Sequence, residues 1–222
     1  MMTIKLAHSF SALKMYENCP KRYYHQRITK EVKDSVGEAT LYGERVHKHL
    51  EDYLKTGAAL PDDSVKLQPL CDTFRTSAGD GGFFVEQEYT LNKDLQETGW
   101  WDADAWLRFK LDVLVVRDNG TAIVADWKTG KRRPDFDQLE MFALAVFSFW
   151  PAVNKVTSVF VWTKENAMDK ETYKREHIDD MWTRLLTRIN RVEKSLETDV
   201  WPAKPSGLCR YCPCKDFCEF AA

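Results

Sequence analysis

The sequence predicts an α/β fold of the α+β kind, with a run of strands in the middle of the chain and helices on either side. Three observations carry this. Apolar residues recur at helical spacing before residue 60 and again after residue 135. Between about 83 and 128 the period becomes that of strands, with β-branched and aromatic residues separated by turn formers. At 222 residues, 44% hydrophobic and 13% aromatic, the chain can bury one sizeable core without disulfides. We therefore expect a single domain over residues 1–222.

Taken in order, Ser9 or Ser11 can cap a short helix that carries Leu13 and Tyr16 and stops near Asn18-Cys19-Pro20. A basic stretch of Lys21, Arg22, His25, Arg27 and Lys30 follows. From about Val36 to Leu54, the residues Ala39, Gly43, Val46, His47, Leu50 and Leu54 share one inward helical face, which includes His47 and omits His49. A loop with Pro61 leads to a weaker helix holding Val65, Leu67, Leu70 and Phe74, ended by Gly79-Asp80-Gly81-Gly82. Strands are expected at 83–91, 101–107, 109–117 and 121–128. Asp135 can cap a helix running to about Phe149, buried through Leu139, Phe142, Ala143, Val146 and Phe147. A strand from about Lys155 to Thr163 and another around 171–176 come next. The last helix, about 178–197, buries Trp182, Leu185, Leu186, Ile189, Val192 and Leu196, with Arg184, Arg188, Arg191 and Lys194 on its other side.

Composition sets limits on function. No apolar run approaches the roughly 18 residues of a membrane span, and Met1 to Leu6 lack a signal-peptide core, so we expect a soluble cytoplasmic protein with no membrane partner. The formal net charge of -2 gives no overall attraction to a polyanion, so nucleic-acid binding would need locally clustered Lys and Arg. Cys209, Cys212, Cys214 and Cys218 crowd into the last fourteen residues. In a reducing compartment, metal binding suits them better than a disulfide framework.

The segment 109–131 holds two strands around Asp118-Asn119-Gly120, and the length of that turn decides which side chains meet. A two-residue Asn-Gly turn would put Asp112 opposite Trp127. A three-residue loop closed by Gly120 at positive φ as a bulge would instead pair 117 with 121 and bring Asp112 opposite Asp126. Their Cβ atoms would then lie about 4.5–5.5 Å apart, with Lys128 on the same face. Carboxylates that close repel unless a cation lies between them, and hard oxygen ligands suit Mg2+ or Mn2+, with an imidazole such as His47 tilting the choice to Mn2+. A lysine beside such a pair can orient or deprotonate an attacking water and balance charge in phosphodiester hydrolysis. The bland alternative is a surface hairpin carrying an Asp-Lys pair.

The wider sequence resembles the PD-(D/E)XK nucleases, in the RecB-like branch that includes CRISPR-adaptation nucleases and small phage exonucleases. The resemblance runs in order through residues 11–23 (SALKMYENCPKRY), 43–51 (GERVHKHLE), 111–116 (LDVLVV), 125–131 (ADWKTGK), 138–143 (QLEMFA) and the C-terminal cysteines. Phe109 stands where the family often has Gly, and Phe142 where it often has Tyr. The resemblance implies a restriction-endonuclease-like core with a mixed, largely antiparallel sheet. It also assigns His47, Asp112, Asp126 and the Trp127 carbonyl to the metal, Lys128 to catalysis, and Gln138 to organising the site. From the residues alone, His47 can equally be a packed core histidine, and Gln138 can form a capping box with Asp135.

The resemblance further implies a 4Fe-4S cluster on Cys19, Cys209, Cys212 and Cys218, joining residues 1–35 and 198–222 into one cluster-bearing subregion. Soft thiolates also admit zinc. Cys214 is an extra thiol, and Cys71 reads as a buried hydrophobe. For DNA contacts the candidates are Lys131, Arg132 and Arg133 after the catalytic lysine and Arg184, Arg188 and Arg191 on the last helix, with Tyr23, Trp100 and Trp101 available for base stacking. The expected function is a metal-dependent DNA nuclease, chiefly an exonuclease on single-stranded or end-bearing DNA. A recombination, helicase or CRISPR-adaptation protein would be its partner. The alternatives are a structure-specific endonuclease and a non-catalytic iron-sulfur DNA-binding or assembly subunit.

Overall fold

The computed structural model describes residues 6–34 and 37–220. The expectation for Met1 to Lys5 and the helix start at Val36 lie outside them. Helix α1 (Phe10–Asn18) begins at Ser9, whose hydroxyl accepts the Ala12 N–H at 3.3 Å. Pro20 then starts the short α2 (Pro20–Tyr23), where its missing N–H costs nothing, and the basic stretch continues as a π-turn over Tyr24–Ile28. Helix α3 (Glu38–Thr56) ends on Gly57 at φ 77°, and α4 (Gln68–Thr76) follows a 3-10 turn.

One five-stranded sheet is formed by β1 (Gly82–Leu91), β2 (Leu107–Val116), β3 (Thr121–Lys128), β4 (Lys155–Trp162) and β5 (Ala167–Lys174), in that order. All neighbours are antiparallel except β3 and β4, which run parallel and are joined through α5 (Phe136–Phe149). Helix α6 (Ile178–Thr198) closes the layer on α5's side. The fold is the restriction-endonuclease-like core, a mixed and mostly antiparallel sheet between helices. No described helix is long and apolar enough to cross a membrane.

The expected strand at 101–107 is not formed; only Leu107 joins β2. Trp101-Asp102-Ala103-Asp104 alternates like a strand, but the two carboxylates bond within their own loop. Asp102 Oδ2 accepts from Gly99 N at 2.8 Å and Asp104 Oδ1 from Thr98 Oγ1 at 2.8 Å, which favours turns over a ladder.

Two cores fill the layers. The larger, under α1, α5 and α6, takes Leu107, Phe109 and Leu111 from β2; the smaller, under α3 and α4, takes Val113 and Val115 from the same strand. Strand β1 changes sides too, with Val85 in the smaller core and Leu91 in the larger. Period-two alternation would keep these odd-numbered residues on one face. The pairing nevertheless stays in register across the switch, Val85↔Val113 before it and Gln87↔Leu111 after it. Between them stands Glu86 at φ 55°, a left-handed conformation that turns the strand over.

Candidate functional site

The hairpin takes the three-residue loop. Gly120 has φ 74°, Arg117 N bonds Thr121 O at 2.9 Å, and the ladder continues from Val116↔Ala122 to Val113↔Ala125. The next pair in that register is Asp112 and Asp126, each only 7% exposed. Lys128 Nζ lies 2.7 Å from Asp126 Oδ2 and donates to Gln138 Oε1 at 3.1 Å. Gln138 Nε2 reaches back to Asp126 Oδ1 at 3.4 Å. Gln138 therefore faces the acids and forms no capping box, and the Asp135 side chain pairs with Lys14 at 2.8 Å instead of capping α5.

Helix α3 brings His47 over the hairpin. Its Nε2 contacts the Trp127 carbonyl at 2.8 Å and its Nδ1 stands 3.4 Å from Asp112 Oδ2. That carboxylate oxygen also accepts the Trp127 N–H at 2.8 Å. Burial opposes a charge on His47, but the hydrogen bond and field of Asp112, with Asp126 and the Trp127 carbonyl, outweigh it and hold the imidazole above its ordinary value.

A further acid, absent from the sequence reading, completes the group. Glu86 lies opposite Asp112 at the point where β1 turns over, and one ligand atom each from His47, Glu86 and Asp112 falls within 4.8 Å of the others. Glu86 also holds Lys110 Nζ at 2.9 Å.

The chemistry of the site suits a cation. Burial and the Asp112 carboxylate push Asp126 up to about 7, against the lowering pull of Lys128 and His47. Asp126 Oδ2 is buried and, although Lys128 is an ion-pair neighbour, no donor among the described residues meets it in hydrogen-bonding geometry. The converging His47, Glu86 and Asp112 ligand atoms, beside Asp126 and the Trp127 carbonyl that His47 contacts, offer mostly hard donors that fit Mg2+ or Mn2+.

The family model of the PD-(D/E)XK nuclease superfamily matches residues 7–219. The chain belongs to that superfamily. Among solved structures, the nuclease superimposes on SSO0001 with a TM-score of 0.55 and 17% identity, over 97% of this chain and 87% of that one. It superimposes on a Eubacterium rectale protein named "putative exonuclease" with a TM-score of 0.54 and 12% identity, over 93% and 86% of the two chains. At such identities these likenesses bear on the fold alone. No curated protein matches the nuclease.

The remaining predicted residues divide by their partners. Arg132 makes two bonds to Asp169, at 2.8 and 2.6 Å. Arg188, only 13% exposed, grips Glu17 at 2.6 and 3.0 Å and lies 3.6 Å from Asp137; Arg184 is held by Glu140 at 3.1 Å. These guanidinium groups are thus committed to carboxylates, whereas Lys131, Arg133 and Arg191 are exposed. At the chain ends, Cys19 Sγ accepts the Lys204 N–H at 3.5 Å and Cys209 Sγ accepts that of Ser206 at 3.2 Å. Trp201 stacks on Tyr23, centroids 5.9 Å apart, so the two ends pack together. Cys214 is buried, and burial with the neighbouring Cys212 pushes its thiol up to about 12. Burial does the same to Cys71.

Proposed function

We propose that this nuclease is a metal-dependent DNA exonuclease of the RecB-like branch, acting on single-stranded or end-bearing DNA. The observation that carries the reading is the buried Asp112–Asp126 pair with Lys128 and Gln138 closed around it. His47, Glu86, Asp112, Asp126 and the Trp127 carbonyl would hold the ion. When bound, such an ion polarises the phosphodiester and lowers the pKa of an attacking water. Lys128 would balance the negative charge that develops on the phosphoryl oxygens in the transition state, and Gln138 keeps its ammonium oriented. Asp112 has a second task, because its bond to the Trp127 N–H holds the β3 backbone so that the 127 carbonyl turns to His47.

For the chain ends, we read Cys19, Cys209, Cys212 and Cys218 as holders of a 4Fe-4S cluster. The packing of the Cys19 segment against residues 201–204 supports this, and the cluster's role would be to tie the ends together. An anaerobic preparation without iron would sink the assignment, and zinc content would then decide what replaces it.

The deciding experiment incubates the protein with labelled single-stranded, duplex and branched DNA in Mg2+ or Mn2+, beside Lys128→Ala. We expect cleavage from ends of single strands and a loss of at least about 100-fold in the variant. Binding of every substrate with cleavage of none would overturn the nuclease reading in favour of an assembly subunit. Cleavage confined to branched DNA would favour a structure-specific endonuclease.

A further inference from the structure

Past the Glu86–Asp112 pair, β1 and β2 continue beyond the smaller core. With Leu107, Phe109 and Leu111 turned into the larger core, Arg108 and Lys110 face the opposite way, the side on which Lys110 meets Glu86. At ~3.4 Å per residue, Arg108 lies about 14 Å along the strand from Asp112. There its guanidinium carbon packs 5.1 Å from the Trp100 ring centroid and 5.2 Å from that of Trp101, and it donates to the Trp100 carbonyl. Lys93 and Lys110 are paired with Glu193 and Glu86, whereas no ion pair engages Arg108 among the described residues.

Trp101 is 84% exposed, more than any other large hydrophobic side chain among the described residues. Packing gives no reason for an indole there. Nor does the loop hold it loosely. Asp102 Oδ2 accepts from Gly99 N at 2.8 Å and Thr98 Oγ1 at 3.1 Å, Asp104 takes Thr98 and Asn92, and Trp106 N bonds Leu91 O at 2.9 Å. Both loop acids, though exposed, are thereby engaged by donors of their own loop, and a flat aromatic face backed by a cation is presented to solvent on a framed turn.

The geometry points to Trp101, backed by Arg108, as a stacking platform for an unpaired base of the DNA strand that reaches the reaction site along β2. Every base has a π-face that such a ring accepts, and duplex bases are not free to offer theirs. Arg108 supplies positive charge for the adjoining phosphate, on the same two strands that carry Glu86 and Asp112. This inference rests on the nuclease reading, and it adds a contact remote from the metal ligands that selects unpaired DNA.

The test uses the full chain carrying Lys128→Ala, so that DNA survives, and measures fluorescence anisotropy of a labelled single-stranded oligonucleotide and of its duplex. Adding Trp101→Ala should weaken single-strand binding about 5- to 100-fold and leave duplex binding within twofold, while Trp101→Phe should keep most of the affinity. Arg108→Gln should reduce the salt slope of binding by about one. Single-strand affinity unchanged by Trp101→Ala, or equal losses on both DNAs, would overturn the platform. Turnover of a small phosphodiester by the unsubstituted chain reports the reaction centre separately. Its absence beside Trp101-dependent binding would count against the nuclease reading and leave the platform standing.

Discussion

Asp126→Asn should stabilise the metal-free protein while destroying its activity. The carboxyl is 7% exposed and shifted from an ordinary 3.8 to about 7, chiefly by burial and by Asp112. That rise corresponds to about 4 kcal/mol of unfavourable charge in the folded state. The attraction of Lys128, 2.7 Å away, is already contained in that net rise. The gain at pH 8 is then on the order of 4 kcal/mol, or a rise of roughly 8–16 °C in Tm. The sign follows from linkage. A folded-state pKa above the unfolded one means that the native state holds the extra proton between about pH 4 and 7, so the parent loses stability as pH rises through that window. The variant lacks that loss, and the difference between them should be near zero at pH 4 and largest at pH 8. Urea unfolding in EDTA at both pH values measures it. Added Mg2+ or Mn2+ should then stabilise the parent and leave the variant unmoved. A variant no more stable than the parent at pH 8 in EDTA would refute the claim that the site stores electrostatic tension.

Glu86→Gln should weaken Mn2+ binding about 10- to 100-fold by calorimetry, since Glu86 lies within 4.8 Å of the His47 and Asp112 ligand atoms; an unaltered affinity would remove it from the set. Gly81→Ala should cost more than about 3 kcal/mol in denaturant unfolding, because a Cβ there would meet the Val116 carbonyl oxygen at 2.1 Å, a backbone atom that cannot move aside.

How far the site could be read in advance depended on whether its geometry is local. The pairing of Asp112 with Asp126 depends on the three adjacent residues 118–120, so the sequence narrowed it to two turn lengths, and the fold took the three-residue one. His47 sits on the predicted inward face of α3, although only the fold brings Trp127 and Asp112 to it. Glu86 was hidden because Phe83 to Leu91 reads as an unbroken strand, while its left-handed turn is imposed by two cores competing for the same two strands. The 101–107 segment deceived for the opposite reason: its alternation was real, but local hydrogen bonds claimed both acids. The arginines of α6 lie at the predicted spacing. That Arg184 and Arg188 would meet Glu140 and Glu17 was not legible, since those partners come from α5 and α1.

The change of face of β1 and β2 at Glu86 and Asp112 also bears on how firmly the two halves of the sheet are joined. On either side of that pair the strands are clamped by different sets of helices, and at the pair itself the backbone ladder is interrupted between Val85↔Val113 and Gln87↔Leu111. The side chains that meet at this crossing point are acids that repel one another. A cation drawn into that gap would join the two halves mechanically as well as serve the chemistry. Slower amide exchange at Gln87 and Val113 on metal addition would register that stiffening from the backbone, without any substrate present.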